Sequence, residues 1–141
     1  MIFYTVIDTN VLVSALLSKK EDAATTVILT KIFAGELIPV FRDEILKEYR
    51  EVLNRKKFKF PEILINTLLN SIASNGLLLQ PGHCTEQLPD PKDIPFYEVV
   101  MEKQDEGTYL VTGNQKHFPQ KPFIVTPREF LNILAEKEYH S

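Results

Sequence analysis

Asp8 is the residue whose position in the chain most directly suggests chemistry. It ends an apolar run from Ile2 to Ile7 and opens the tripeptide Asp8-Thr9-Asn10, which a helix-forming segment follows. In an open α/β sheet, functional groups collect beyond the carboxyl ends of the buried strands. A carboxylate at that place is positioned for catalysis, but an aspartate directly before a helix is also a common N-cap. Taken alone, Asp8 leaves both roles open.

Three further polar groups follow predicted strands in the same way. Glu48 lies on the helix after the second strand, Asp93 follows the Pro-rich loop after the third, and Asn114 ends the turn Thr112-Gly113-Asn114 after the fourth. Each has a plainer interpretation. Glu48 could be ordinary surface charge, Asp93 could cap its helix, and the turn could carry no chemistry.

A helical wheel separates Glu48 from the other acids of its helix. With Glu44 placed at 0° and about 100° per residue, the apolar residues centre near 140°. Glu48 falls near 40°, at the margin of that stripe, whereas Glu44 and Glu51 point further outward. The wheel therefore predicts that Glu48 faces a cleft.

Asp8, Glu48, Asp93 and Asn114 follow four different strands, so they are expected at one edge of the sheet. Oxygen ligands that converge in this way suit a hard divalent cation, Mg²⁺ or Mn²⁺. A carboxylate-bound ion that keeps some of its waters is suited to cleaving phosphodiester bonds.

The elements that must position these residues alternate along the chain. Strands are predicted at Ile2–Ile7, Leu37–Phe41, Leu77–Gln80, Thr108–Thr112 and Phe123–Val125. Helices are predicted at Thr9–Leu17, from a cap at Asp22 to about Ala34, at Asp43–Lys56, Pro61–Asn75 and Asp93–Lys103, and from a capping box at Thr126 to about Glu136. Repeated βα units predict a single-domain three-layer α/β/α sandwich over residues 1–141, with a central, mainly parallel sheet of about five strands.

Composition narrows the functional classes. A net charge of −3 argues against a wholly cationic nucleic-acid binder, but it leaves room for a local basic patch or for metal ions. No apolar run reaches the roughly 18 residues of a membrane helix, and no secretory signal is recognisable, so neither a membrane location nor export is expected. With Cys84 as the single cysteine, an internal disulfide is not possible, which agrees with an expected cytoplasmic location.

These residues together resemble a PIN domain, the nuclease fold of many bacterial toxins. The stretch from Val111 to Pro119, VTGNQKHFP, is similar to a signature of one PIN subfamily of toxin components in toxin–antitoxin systems. The resemblance runs from Ile2 to about Leu134. It is carried by Asp8-Thr9-Asn10, by Glu48-Tyr49 in a helix ending in Val52-Leu53, by Asp93 and by Val111-Thr112-Gly113-Asn114.

The resemblance implies a metal-dependent endoribonuclease that hydrolyses single-stranded RNA. Asp8, Glu48 and Asp93 would hold Mg²⁺ or Mn²⁺. Many PIN proteins carry a fourth acid where this chain has Asn114. We expect Asn114 to take part in catalysis as an amide ligand or by orienting a water, but the missing charge should weaken any second metal.

The resemblance also suggests substrate contacts and partners. Expected contacts to RNA come from Asn10, Thr112, Lys116 and His117, with further phosphate neutralisation by Arg128, by Arg55-Lys56-Lys57 and by Lys59. His117 could instead be an ordinary surface histidine, and the basic run a solvated helix end. The expected partners are single-stranded RNA and a cognate antitoxin; a homodimer stays open, and no membrane partner is expected.

Two other classes compete with this interpretation. Haloacid-dehalogenase-like phosphatases need a second aspartate two residues after the first, where this chain has Asn10, and receiver domains need an acidic pair upstream, where it has Tyr4-Thr5-Val6. Both are disfavoured. A PIN module that binds RNA or a protein without turnover stays open because of Asn114.

Overall fold

The computed structural model of the chain describes residues 3–80, 82 and 86–139. Ile2 and Cys84, which entered the predictions above, lie outside these residues. The strands are β1 Phe3–Ile7, β2 Leu37–Phe41, β3 Leu77–Leu78, β4 Tyr109–Val111 and β5 Ile124–Val125. The α-helices are α1 Thr9–Leu17, α2 Ala24–Phe33, α3 Asp43–Leu53, α4 Glu62–Asn75, α5 Ile94–Lys103 and α6 Pro127–Tyr139. Short 3-10 turns span Pro91–Asp93, Gln104–Glu106 and Gln115–His117.

All five strands pair in parallel in the order β3-β2-β1-β4-β5. The sheet therefore grows first from β1 towards β3 and then, in the opposite direction, from β1 towards β5. Because strand crossovers are right-handed, the helices before β2 and β3 and the helix before β4 lie on opposite faces. The predicted α/β fold with a central parallel sheet is confirmed.

The order of the strands reverses between β1 and β4. In open α/β sheets such a reversal opens a crevice beyond the carboxyl ends of the two strands, and ligands bind there. β1 is held in place at this point by parallel pairing on both sides: Thr5 pairs with Pro39 of β2 and with Tyr109 of β4. The residues that follow β1 and β4 are consequently brought face to face.

The central strands are apolar because helices cover both of their faces. Val6, Val40, Leu110 and Val111 have no exposed surface, and α5 packs against β1, β2 and β4. A parallel sheet buried on both sides requires such near-continuous apolar runs, and these runs made the strands recognisable in the sequence. None of the helices in the described ranges has the length and apolar character needed to cross a membrane.

Several predicted boundaries are wrong, each for a local reason. Asp22 does not cap α2, because that helix begins at Ala24 with Ala23 at the N-cap position. α3 ends at Leu53 and does not reach Lys56, since the Asn54 side-chain amide donates to the Arg50 carbonyl at 2.7 Å and takes the place of the next turn. β3 pairs with β2 over two residues only.

The predicted capping box of the last helix is confirmed. The backbone N–H of Glu129 donates to Thr126 Oγ1 at 3.1 Å, and the N–H of Thr126 donates to Glu129 Oε1 at 2.8 Å. Pro127 occupies the first helical position, where its missing N–H costs nothing. These reciprocal bonds fix the start of α6 beside β5.

Candidate active site

Asp8 bridges the crevice between β1 and β4. Its N–H donates to the Val111 carbonyl at 2.9 Å, and its Oδ2 accepts from Thr112 Oγ1 at 2.6 Å. Asp8 is only 6% exposed, and although it precedes α1 its side chain makes no capping bond to that helix. The capping interpretation of Asp8 is therefore wrong, and its carboxylate is fixed by the neighbouring strand.

Thr112 orients the Asp8 carboxylate. Its hydroxyl donates to Asp8 and accepts from the backbone N–H of Asn114 at 3.0 Å, so the direction of its proton is determined. Thr112 has no exposed surface. It was predicted as a substrate contact, but it lies beneath Asp8 and acts on that carboxylate.

Glu48 reaches Asp8 from α3. Its Oε2 accepts a hydrogen bond from Thr9 Oγ1, and the next residue, Tyr49, donates from its hydroxyl to the Ile7 carbonyl at 2.5 Å. α3 is thus attached to the chain on both sides of Asp8. Glu48 is half-buried, whereas Glu44 and Glu51 are exposed, which is the order of burial that the wheel predicted.

Asp93 completes the group of acids from the 3-10 turn before α5. Its side chain is 13% exposed, and its Oδ2 is buried without a hydrogen-bond partner. His117 Nδ1 lies 3.4 Å from that oxygen, close enough for an ion pair but not aligned for a hydrogen bond. Asp93 makes no capping bond; Asp90 caps the turn by accepting from the Lys92 N–H at 2.9 Å.

The three acids lie close enough together to influence one another's protonation. Burial, followed by the charges of Asp8, Asp90 and Glu48, raises the pKa of Asp93 to about 6, although His117 lowers it. Burial also raises the pKa of Glu48, where the Thr9 hydrogen bond lowers it and the charge of Asp8 raises it again.

The pKa of Asp8 is raised as well, although more of its neighbours are groups that lower it. Burial raises the pKa of the Asp8 carboxyl, while the Thr112 hydroxyl, the Thr9 backbone amide and His117 lower it. Strongly perturbed acids in a crevice are candidates for function. The repulsion at Asp93 and Glu48 is of the kind that a bound cation relieves.

These residues fit a hard divalent cation by their chemistry. The ligands that they offer to an ion are carboxylate oxygens. Asp93 Oδ2 is buried without a hydrogen-bond partner, and a cation would satisfy it. Over residues 3–80, 82 and 86–139, however, no three His, Cys, Asp or Glu side chains are grouped as a ready-made metal site. The acids are coupled electrostatically, but they would have to approach one another more closely to share an ion.

The two asparagines occupy different places. Asn10 Oδ1 accepts from the Gly113 N–H at 3.4 Å, so it fastens the loop after β4 to the start of α1. Asn114 is exposed next to that loop, where a ligand could meet its amide. Asn10 thus supports the crevice, whereas Asn114 lies at its open side.

The predicted cations differ in their surroundings. His117 faces Asp93, and Lys116 and Arg128 are exposed. Arg55 lines a groove of about 170 Å³ that also contains Glu48, and this groove is bordered by two lysines that the sequence analysis missed, Lys47 and Lys92. Lys92 could have been found from its place between Asp90 and Asp93. Of the remaining basic run, Lys57 packs over the Phe58 ring at 5.1 Å, and Lys56 and Lys59 are exposed.

A buried ion pair was also missed. Arg42 Nη1 lies 3.0 Å from Glu98 Oε1, and Arg42 Nη2 lies 2.7 Å from Glu44 Oε1. The Arg42 and Glu98 side chains are only 9% and 3% exposed. The pair joins the start of α3, which carries Glu48, to α5, which follows Asp93. No sequence signal links two residues this far apart in the chain.

The sequence of the chain matches a known family. A family model described as the PIN domain matches residues 4–116, which include Asp8, Glu48, Asp93 and Asn114. The chain belongs to the PIN domain family. PIN domains are generally metal-dependent nucleases, and they typically use divalent metals. Among curated proteins and solved structures, none matches the chain.

Proposed function

We propose that this PIN domain is an endoribonuclease that hydrolyses phosphodiester bonds of single-stranded RNA and depends on Mg²⁺ or Mn²⁺. One observation supports the proposal most directly: the charges of Asp8 and Glu48 raise the pKa of Asp93, whose buried carboxylate oxygen Oδ2 has no hydrogen-bond partner. A bound divalent ion would polarise a phosphate oxygen and lower the pKa of a water.

The residues of the site would have different roles in ion binding and in orienting the reactants. Asp8, held by Thr112, and Glu48, held by Thr9, are oriented carboxylates that would bind the ion with Asp93. Burial and the neighbouring acids raise the pKa of Asp93 in the metal-free protein, and a bound cation would favour its ionised, ligating form. Asn114 would orient a water or a phosphate from the open side.

The RNA would follow the cations around the crevice. His117 faces Asp93 and Lys116 precedes it in the same turn, while Lys92 and Arg55 border the groove beside Glu48. Cations near more than one of the acids suit a strand whose phosphates continue past the cleaved bond. A chain with a net charge of −3 can bind RNA through such a local arrangement.

The test uses a labelled single-stranded RNA with Mn²⁺ or Mg²⁺ and then with a chelator. We expect cleavage that the chelator stops and that Asp8→Asn abolishes. Asp105→Asn is the matched control, because Asp105 is exposed in the turn before β4, away from the crevice. Cleavage that resists the chelator, or that persists in Asp8→Asn, would refute the proposed site.

We further infer a biological role as the toxin of a toxin–antitoxin pair in the cytoplasm, with a cognate antitoxin as partner and a homodimer as one assembly to be tested. The support is the likeness of VTGNQKHFP to one toxin subfamily. Induced expression of the wild type should stop growth of a bacterial host, and Asp8→Asn should not. Equal growth with both proteins would contradict the toxin role.

A second candidate is a PIN module that binds RNA or a protein without turnover. Two observations favour it: Asn114 stands where many PIN proteins have a fourth acid, and the described residues hold no ready-made three-ligand metal site. A melting temperature that stays flat across millimolar Mn²⁺ would support this candidate, because an ion that binds the native state must raise it.

A further inference from the structure

A second cavity lies beside the acids and takes no part in the proposed hydrolysis. It has a volume of about 470 Å³ and lies between the turn Gln115–His117 and the start of α6. Its floor is apolar, formed by Phe118, Ile124 and Val125, and prolines form part of its wall. The volume falls within the range of about 300–1,000 Å³ that small-ligand pockets occupy.

One turn of the chain separates this cavity from the acids. His117 faces Asp93 at 3.4 Å, while Gln115 and Lys116 of the same turn line the cavity. Consecutive Cα atoms lie about 3.8 Å apart, so the rim of the cavity begins within about one nucleotide of the acids. A strand that crosses the acids would therefore bring a neighbouring base to this cavity.

The polar rim presents acceptors in a fixed orientation. Gln115 Nε2 donates to the Ile124 carbonyl at 3.1 Å and to Glu129 Oε1 at 3.2 Å, which occupies both of its amide hydrogens. The Gln115 carbonyl oxygen is the group that remains for a ligand. Hydrogen bonds from the backbone and side chain of Thr126 lower the pKa of Glu129, so its carboxylate is ionised and can only accept.

We propose that this cavity binds one unpaired guanine base of the RNA, next to the cleaved bond; the proposal rests on the ribonuclease function proposed above. Guanine is the RNA base whose Watson–Crick edge presents two adjacent donors, N1–H and the N2 amino group. These donors complement the acceptors of Gln115 and Glu129. The apolar floor would cover the face of the base, as in other sites for single-stranded RNA.

Two cations suit the phosphates of the bound nucleotide. Lys116 and Lys121 both line the cavity and both carry flexible ammonium groups. Contacts to phosphate add affinity without distinguishing bases, whereas contacts to a base edge distinguish them. The cavity therefore predicts two separable effects: affinity from the lysines and base preference from Glu129 with Gln115.

The first experiment measures binding without catalysis. Guanosine, adenosine, cytidine and uridine 5′-monophosphates are titrated into the full chain by calorimetry. We expect the guanosine nucleotide to bind about tenfold more tightly than the uridine nucleotide, the discrimination typical of a good base-edge contact. Glu129→Gln should remove this preference, and it should fold, because glutamine also forms a capping box.

Two further variants separate the contributions. Lys121→Ala should weaken the binding of all four nucleotides by a similar factor and leave the order of their affinities unchanged. Glu136→Gln, on the same helix but outside the cavity, should behave as wild type. Equal affinity for the four nucleotides, or a guanine preference that survives Glu129→Gln, would overturn the proposal.

The second experiment maps cut sites in a randomised single-stranded RNA with Mn²⁺. We expect guanine at one fixed distance from the cut in the wild type, and no base preference at that place among the cuts made by Glu129→Gln. Cleavage without a preferred base in the wild type would refute the guanine site and leave the ribonuclease proposal standing. Selective binding of the guanosine nucleotide without any cleavage would refute the ribonuclease and support the site.

Discussion

Replacing Asp93 by asparagine should make the metal-free protein more stable and, at the same time, inactive. Asp93 is almost enclosed, with 13% of its side chain exposed, and its carboxyl has a pKa of about 6 where 3.8 is ordinary. Asparagine has nearly the same shape but no charge. The substitution therefore removes a buried charge that burial and the neighbouring acids Asp8, Asp90 and Glu48 make unfavourable.

The sign and size follow from proton linkage. Between pH 3.8 and about 6, native Asp93 binds a proton more strongly than the unfolded chain does, so its ionisation costs stability as the pH rises through this window. A difference of one pKa unit is worth about 1.36 kcal/mol. The difference between the native and unfolded pKa of Asp93 therefore lowers the free energy of unfolding by at most about 3 kcal/mol at pH 7.5. Because water at the partly open crevice screens the charges, we expect Asp93→Asn to raise the free energy of unfolding by about 1–2 kcal/mol.

The assay is urea unfolding of wild type and Asp93→Asn in the presence of chelator at pH 7.5 and at pH 4. The variant should be the more stable protein at pH 7.5, and its advantage should fall below about 1 kcal/mol at pH 4, where native Asp93 is protonated. Asp105→Asn serves as the exposed control and should change little at either pH. A variant less stable than wild type at pH 7.5, or an equal gain at both pH values, would refute the reasoning.

Three further predictions concern other residues of the candidate site and its support. Glu48→Gln should lower RNA cleavage by about tenfold or more, since even the partners of metal ligands are worth 10–100-fold, while Glu44→Gln should keep near wild-type cleavage; equal losses would contradict the assignment. Asn114→Asp should lower metal-free stability and enlarge the thermal shift with Mn²⁺, and weaker Mn²⁺ binding in calorimetry would show that Asn114 is not a diminished ligand. Tyr49→Phe should cost about 1–2 kcal/mol in urea unfolding, because the buried Ile7 carbonyl loses a donor; an unchanged midpoint would mean that this bond does not contribute.

The sequence predicted which residues lie at the carboxyl edge of the sheet, because strands and their ends are recognisable from local patterns. The apolar run before Asp8 and the one before Thr112 identify buried strands, and parallel strands necessarily place their carboxyl ends on one side. Helical periodicity likewise separated Glu48 from Glu44, since burial on a helix depends only on angle. Whether these residues act in catalysis stays a prediction.

The features that sequence reasoning missed depend on contacts between distant segments. Arg42 and Glu98 lie far apart in the sequence, and the residues around each of them do not predict that the two form an ion pair. The sequence predicted Thr112 as a substrate contact, whereas in the structure it supports Asp8. This contact can be recognised only from the strand order, because β1 and β4 are neighbours only through the reversal of the sheet. The proposed base-binding cavity could not be found from the sequence, because the orientation of the Gln115 amide depends on two hydrogen bonds to separate segments.

The ion pair between Arg42 and Glu98 has a consequence for how this protein can evolve. Removing one member of a buried pair leaves an uncompensated charge at a cost of about 3–5 kcal/mol, whereas replacing both by apolar residues of similar volume is often neutral or stabilising. Loss of Glu98 still leaves Arg42 the exposed Glu44 carboxylate at 2.7 Å, so loss of Arg42 should use the larger part of the roughly 5–15 kcal/mol that keeps a domain folded. Natural variation at these two positions should come in pairs, and lineages without the arginine should also have lost the glutamate.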